Sequence, residues 1–182
     1  MDMLDIIFNR RSIRSYTGEK ISRQQLELLV KAGMAAPVAR NERHLYFMVV
    51  DDPVLLKQME EGLPNAKMLS PAGHAVVVMS DVSRSYGGRE TAYWIQDCAA
   101  AAQNILIAAQ ALGLGACWTG VHPREERVLF LKECLHLPEE IVPLCVIAVG
   151  IPAQDGGAPH DKYDPDHVCW NEWTRRTQTS ES

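Results

Sequence analysis

Apolar positions follow two rhythms along the chain. Leu26, Leu29, Val30 and Gly33 recur at helical spacing. Ser22 stands where it can cap that helix, Gln25 can complete a capping box, and Pro37 stops the segment. A longer helix is predicted from about Arg89 to Leu112, rich in alanine and ended by Gly113. Such a small-residue helix suits the centre of a core or a subunit interface. A shorter helix is expected over Val54 to Glu61, and another over Arg124 to Leu135 with Val128, Leu131 and Leu135 on one face. Met3 to Phe8 reads as one or two helical turns.

The second rhythm is the short, nearly continuous apolar run. Leu45–Val50, Ala75–Met79 and Val142–Val149 read as buried strands, and Leu114–Gly120 as a short strand bracketed by glycines against which a flat ligand could lie. Gly62 to Gly73 reads as irregular, and Asp81 to Gly88 as a mobile-looking loop of the kind that can act as a lid. Trp170 and Trp173 are expected to anchor a tail segment, and residues from Thr177 to fray. No repeat or long linker divides the 182 residues, so a single domain spanning 1–182 is expected.

Composition narrows the possibilities without choosing among them. The net charge is -5 and the pI about 5.7, which argues against a general nucleic-acid binder. No run reaches membrane-spanning length, and no signal-peptide pattern opens the chain. Five cysteines without a Cys-x-x-Cys spacing point to a reducing cytoplasm rather than a disulfide framework. Cys134 and His136 are a poor start for a metal site, because no second pair stands at zinc spacing, and no metal is expected.

Against this acidic background, Arg10, Arg11 and Arg14 fall within one short stretch, with Ser12 among them, where the first helix should end. A guanidinium presents a planar fork of donors that fits phosphate oxygens in pairs. The stretch reads either as an anion site for a phosphate-bearing cofactor or as a solvated basic surface. No Gly-x-Gly-x-x-Gly and no Walker loop is present, so a cofactor phosphate would have to be held by side chains. Other groups admit two readings each. Cys117 is either a redox thiol or a small buried hydrophobe. Tyr93 and Trp94 either stack on a ligand or pack at an interface. Asp97 is either catalytic or held by the positive helix end or Arg89. His122 either touches substrate or marks a turn.

Four blocks in order, Arg10-Arg11-Ser12-Ile13-Arg14-Ser15-Tyr16, Ala36-Pro37-Val38-Ala39-Arg40-Asn41, Gln96 to Leu106 leading into Gly113 to Gly120, and Val149-Gly150-Ile151-Pro152, resemble the nitroreductase family of flavin oxidoreductases, from about Leu4 to Trp173. The resemblance implies an α+β fold with a central mixed β-sheet flanked by helices, and a homodimer binding one FMN per site at the subunit interface. By position it implies that Arg10, Arg11 and Ser12 hold the FMN phosphate and ribityl chain, and that Arg14 lies near the pyrimidine edge. Asn41 would hydrogen-bond the ring, Thr119 and Gly120 would supply backbone contacts, and Lys162 would reach the phosphate. NAD(P)H would donate a hydride, and a nitroaromatic, quinone or similar acceptor would take the electrons; no protein group is required as a catalyst. Arg43-His44-Leu45 departs from the family's Gln-Pro-Trp and Val38 from its serine, which bears on the substrate side. Carbon–halogen cleavage, flavin fragmentation, or a non-enzymatic flavin carrier or redox sensor are the alternatives.

Overall fold

The computed structural model describes residues 2–158 and 161–173. The expected fraying from Thr177 onward lies outside them. Four strands form one sheet in the order β1-β2-β4-β3: β1 (Leu45–Val50), β2 (His74–Asp81), β3 (Gly115–Gly120) and β4 (Ile141–Gly150). Six helices flank it: α1 (Met3–Asn9), α2 (Arg23–Met34), α3 (Pro53–Gly62), α4 (Leu69–Ala72), α5 (Tyr93–Ala111) and α6 (Glu125–Cys134). The α+β class holds, and the capping box of Ser22 and Gln25 opens α2 as expected.

Alternation along the strands sorts the core into two layers. Val76, Val78, Cys145, Ile147 and Val149 face α2 and α5. Ala75, Val77, Met79, Val146 and Ala148 face α3, α4 and α6 on the other side. The alanine face of α5 is the central helix of the first layer, with Ala101, Ala102, Ile105 and Ala109 fully buried and α2 packed along it.

Several expectations are corrected. The sheet is antiparallel at every strand pair rather than mixed. Two connections return the chain beside the strand it left: β1 ends at Val50 and re-enters at Ala75, its direct partner, and β3 leads into β4, while α5 carries the chain from β2 over β4, so that β2 and β3 run in the same direction without pairing. The sole parallel pairing among the described residues is an isolated bridge, Ser12 to Ala116. The Leu45–Val50 run is not buried on both faces, because β1 is an edge strand and Tyr46 and Val49 are exposed. Gly62 to Gly73 contains the one-turn helix α4. The long helix begins at Tyr93, four residues later than predicted. The 81–88 loop is pinned: Val82 and Ser85 are buried, and the Asp81 carboxylate accepts from the Ser83 hydroxyl and N–H. Trp170 and Trp173 do not anchor a tail, being 81% and 84% exposed, since the described residues after Pro152 lie outside both core layers.

Pro143 lies inside β4, where it cannot donate to the ladder, and the register shifts there between Val78 and Met79. The extra residue, Leu144, turns its carbonyl to the N–H groups of Val121 and His122, both at 3.1 Å. That bond ends β3 directly after Gly120. Among the described residues no helix is long and apolar enough to cross a membrane.

Candidate functional site

Arg10 closes α1, and the next seven residues are stitched to the free edge of the sheet. Ile13 N–H donates to the Ala116 carbonyl at 3.0 Å, Thr17 N–H to Ile151 at 3.0 Å, and Ala153 N–H to Ser15 at 3.0 Å. The Tyr16 hydroxyl, at the aromatic position of the first block, donates to the Ile13 carbonyl at 2.7 Å from a buried ring. Its phenol is pushed well up, by burial first and then by the neighbouring Cys117, with Arg14 opposing. Gly115 makes this seam possible, because a Cβ there would stand 2.8 Å from the Ile13 side chain. So Gly115 is filled by the protein itself and does not offer the flat ligand surface its sequence context suggested. Gly120 does, having open space where a Cβ would project.

The seam sets out the arginines along the edge. Arg10 and Arg14 both lower the Cys117 thiol against the larger upward effect of burial, which places the two cations beside β3. Cys117 is thus a buried, unreactive thiol. Arg11 turns the other way: its guanidinium donates to the carbonyls of Ala158 at 2.6 Å and Gly156 at 3.4 Å. The late loop reaches Arg11 because Gly156 has no side chain; a Cβ there would lie 2.4 Å from that of Arg11. Lys162 follows on the same loop and shares with Arg10 and Arg11 a cavity of about 690 Å³, also lined by Ile7, Phe8, Asp161 and Tyr163. Among the described residues none of these four cations forms a carboxylate ion pair. Ser12 is exposed beside them. A second cavity, about 600 Å³ between α2 and β1, is lined by none of the predicted site residues.

Thr119 and Gly120 lie at the far end of β3, about 10–13 Å along the strand from the Ser12 bridge at Ala116. The Thr119 hydroxyl is buried without a hydrogen-bond partner, and the Gly120 carbonyl accepts from Arg127 at 2.9 Å. Asn41 is not drawn to this strip. It ends a 3-10 turn, Ala39–Asn41, in which Arg40 and Asn41 both take left-handed backbone, φ 53° and 56°. The turn's bonds run to the Asp97 carboxylate, which accepts from Ala39 N–H at 3.1 and 3.2 Å, and the Arg40 guanidinium sits 4.2 Å over the Tyr86 ring.

Sequence reasoning misplaced three residues here. Asp97 lies beyond the first turn of α5, buried, and is bound neither by the helix end nor by Arg89. It meets His44 Nε2 at 3.0 Å. His44, expected on the substrate side, is 0% exposed and touches Ser80 Oγ with Nδ1 at 2.8 Å. Trp94 neither stacks on a ligand nor faces an interface, but packs edge-on to His122 inside the chain, centroids 4.7 Å apart. A signal for Asp97 existed: it shares helical spacing with Trp94, Ala101 and Ile105, so it falls on the buried face and requires a buried partner.

The strip has the donor chemistry for a phosphate-bearing, flat cofactor. Uncompensated guanidiniums and a hydroxyl stand at one end, and an open glycine with an unsatisfied threonine hydroxyl at the other. Comparison with known proteins agrees. The Nitroreductase family model matches residues 7–63 and 57–151. A candidate NADH dehydrogenase/NAD(P)H nitroreductase of Archaeoglobus fulgidus is 41% identical over 174 residues, 94% of this chain and 99% of that protein. The crystal structure of a similarly named protein from Bacteroides thetaiotaomicron superposes with a TM-score of 0.88 at 43% identity, over 94% of this chain and 98% of the other. A candidate nitroreductase from Desulfovibrio desulfuricans, solved in complex with FMN, has a TM-score of 0.76 at 31% identity, over 88% of this chain and 91% of the other. The braced arginine strip, the open end of β3 and these matches together show that the chain belongs to the nitroreductase family.

Proposed function

We propose that this protein is an FMN-dependent NAD(P)H oxidoreductase that passes electrons to nitroaromatics, quinones or similar electron-poor acceptors in a ping-pong cycle. The observation that carries it is the strip from Arg10 to Arg14 held rigidly on β3, with cations at one end and the open Gly120 at the other. Arg10, Ser12 and Lys162 bind the phosphate and ribityl chain, with Arg11 contributing while it ties down the late loop. Arg14 places positive charge where the ring gains negative charge on reduction, which makes reduction more favourable. Thr119 and Gly120 border the ring, and Asn41 hydrogen-bonds its edge. FMN, when bound, supplies hydride acceptance and donation, so the chain needs no nucleophile of its own.

Asn41 and the arginine strip stand on different elements, and among the described residues no hydrogen bond joins them. A second copy completing the site accounts for this. Met3 and Phe8 on α1 are 72% and 66% exposed, and with Trp170 and Trp173 they supply apolar surface for it. The test is the visible spectrum of the purified protein, identification of the released chromophore, and initial rates with NADH or NADPH against a nitroaromatic and a quinone. Released FMN, bleaching by NAD(P)H and parallel double-reciprocal lines are expected. A protein that takes up no FMN, or that holds FMN but turns over no acceptor, overturns the reading. Size-exclusion chromatography with light scattering tests the homodimer.

A further inference from the structure

The turn that presents Asn41 carries two consecutive non-glycine residues in left-handed backbone, a conformation that costs on the order of 1 kcal/mol each and persists only where surroundings over-determine it. Those surroundings form a line of buried polar groups drawn from three elements. Ser80 near the end of β2 meets His44 at 2.8 Å; His44, in the loop before β1, meets Asp97 of α5 at 3.0 Å. Both carboxylate oxygens of Asp97 reach the N–H of Ala39, the residue just before the strained pair. A carboxylate only accepts, so His44 Nε2 carries its proton toward Asp97, and Nδ1 is left facing the Ser80 hydroxyl. We propose that Asp97, His44 and Ser80 are positioning residues for Asn41, fixing how its amide meets the flavin ring and hence the rate of hydride transfer, with little part in anchoring the phosphate. This rests on the assignment of Asn41 to the flavin ring made above.

Three features favour positioning over packing. Buried polar trios are dispensable for stability where apolar residues of like volume fit, so what a fully satisfied one contributes is a single geometry. This one terminates at the turn, and among the described residues its hydrogen bonds run to the turn and not to the arginine strip. His44 is wholly buried, so it cannot meet an acceptor, and any influence it has on the chemistry passes through Asp97.

The test uses the FMN-loaded protein and the variants Asp97→Asn, His44→Gln, Ser80→Ala, Asn41→Ala and the double variant Asn41→Ala/Asp97→Asn. FMN affinity, the anaerobic rate constant of flavin reduction by NADPH and the unfolding midpoint are measured for each. Asp97→Asn is expected to slow reduction about tenfold while the FMN Kd changes by less than about threefold, and to slow it little further once Asn41 is already alanine. Ser80→Ala, at the far end of the line, is expected to cost about twofold. An unchanged rate in Asp97→Asn, or an equal loss with and without Asn41, overturns the relay and leaves a structural network. If Asn41→Ala itself changes neither rate nor flavin spectrum, both the relay and the assignment of Asn41 fall. Should Asp97→Asn not fold, His44→Gln combined with Asn41→Ala runs the same cycle with the carboxylate in place.

Discussion

The arginine strip and the Asn41 turn keep their proposed site residues in place by opposite means. The strip is held by backbone: three N–H to C=O bonds and one glycine sew it to β3 and the exit of β4, so its arginines are not needed to hold it and form no carboxylate ion pair among the described residues. The turn is held by side chains, through a buried carboxylate, an imidazole and a hydroxyl. Backbone bracing tolerates change in the side chains it carries. Side-chain bracing does not, because every group in it is the partner of another. The strip therefore separates binding from folding, whereas the turn joins them.

The largest effect expected from this contrast is on the turn. Asp97→Ala leaves the Ala39 N–H and the His44 ring without an acceptor in the interior, at a cost of about 3 kcal/mol. Urea unfolding of the apoprotein measures it, and a loss under 1 kcal/mol would show that the turn does not depend on its carboxylate. On the strip the expected pattern reverses. Arg10→Ala should weaken FMN binding by about 30-fold, near 2 kcal/mol, and leave apoprotein stability within about 0.5 kcal/mol. Fluorescence titration and the same urea series together separate the two quantities.

A third buried group lies outside both regions and serves as a control. Burial holds His74 below its ordinary value near 6.5, with nearby Lys20 acting the same way while the Ala72 carbonyl and Asp51 oppose. The unfolded chain thus takes up a proton there before the folded one does. Its share of stability is complete above about pH 6.5 and is lost as pH falls toward the folded value, by at most about 1.4 kcal/mol per pH unit. His74→Gln should flatten that acid slope, in part only, because His122 is depressed by burial in the same direction. The smallest effect is expected at Arg40→Ala, which removes an exposed cation from the Tyr86 ring, about 0.5 kcal/mol in a thermal melt. An effect as large as that of Asp97→Ala would mean that the 81–88 loop, not the buried network, carries the turn.

How far each region was legible follows from how it is held. The two-layer core, the helix caps and the strip could be read because hydrophobic period, capping chemistry and charge are local in sequence. Arg10, Arg11 and Ser12 were named from the local run of charge and Lys162 from the family resemblance, and the fold gathers them about one cavity or beside it. The network behind Asn41 could not be read, because Ser80, His44 and Asp97 are separated by 36 and 53 residues and meet only after β2 and α5 pack. The sense of the sheet was misjudged for a related reason. The resemblance implied a mixed sheet, yet the crossover from β2 through α5 to β3 spans β4, so the two strands that run in the same direction never pair. Gly115 was read as room for a ligand because a sequence does not say which neighbour fills the space a glycine leaves.

Holding the strip by backbone also settles when its electrical work is done. Arg10 and Arg14 are both brought near Cys117 of β3 as the chain folds, each close enough to act on its thiol. Groups fixed within a Debye length, about 8 Å at physiological salt, repel through the fold that confines them. Their like charges thus push against the amide seam that carries them. On the proposed function a bound phosphate would relieve that repulsion, so added salt and FMN should each raise the protein's resistance to unfolding.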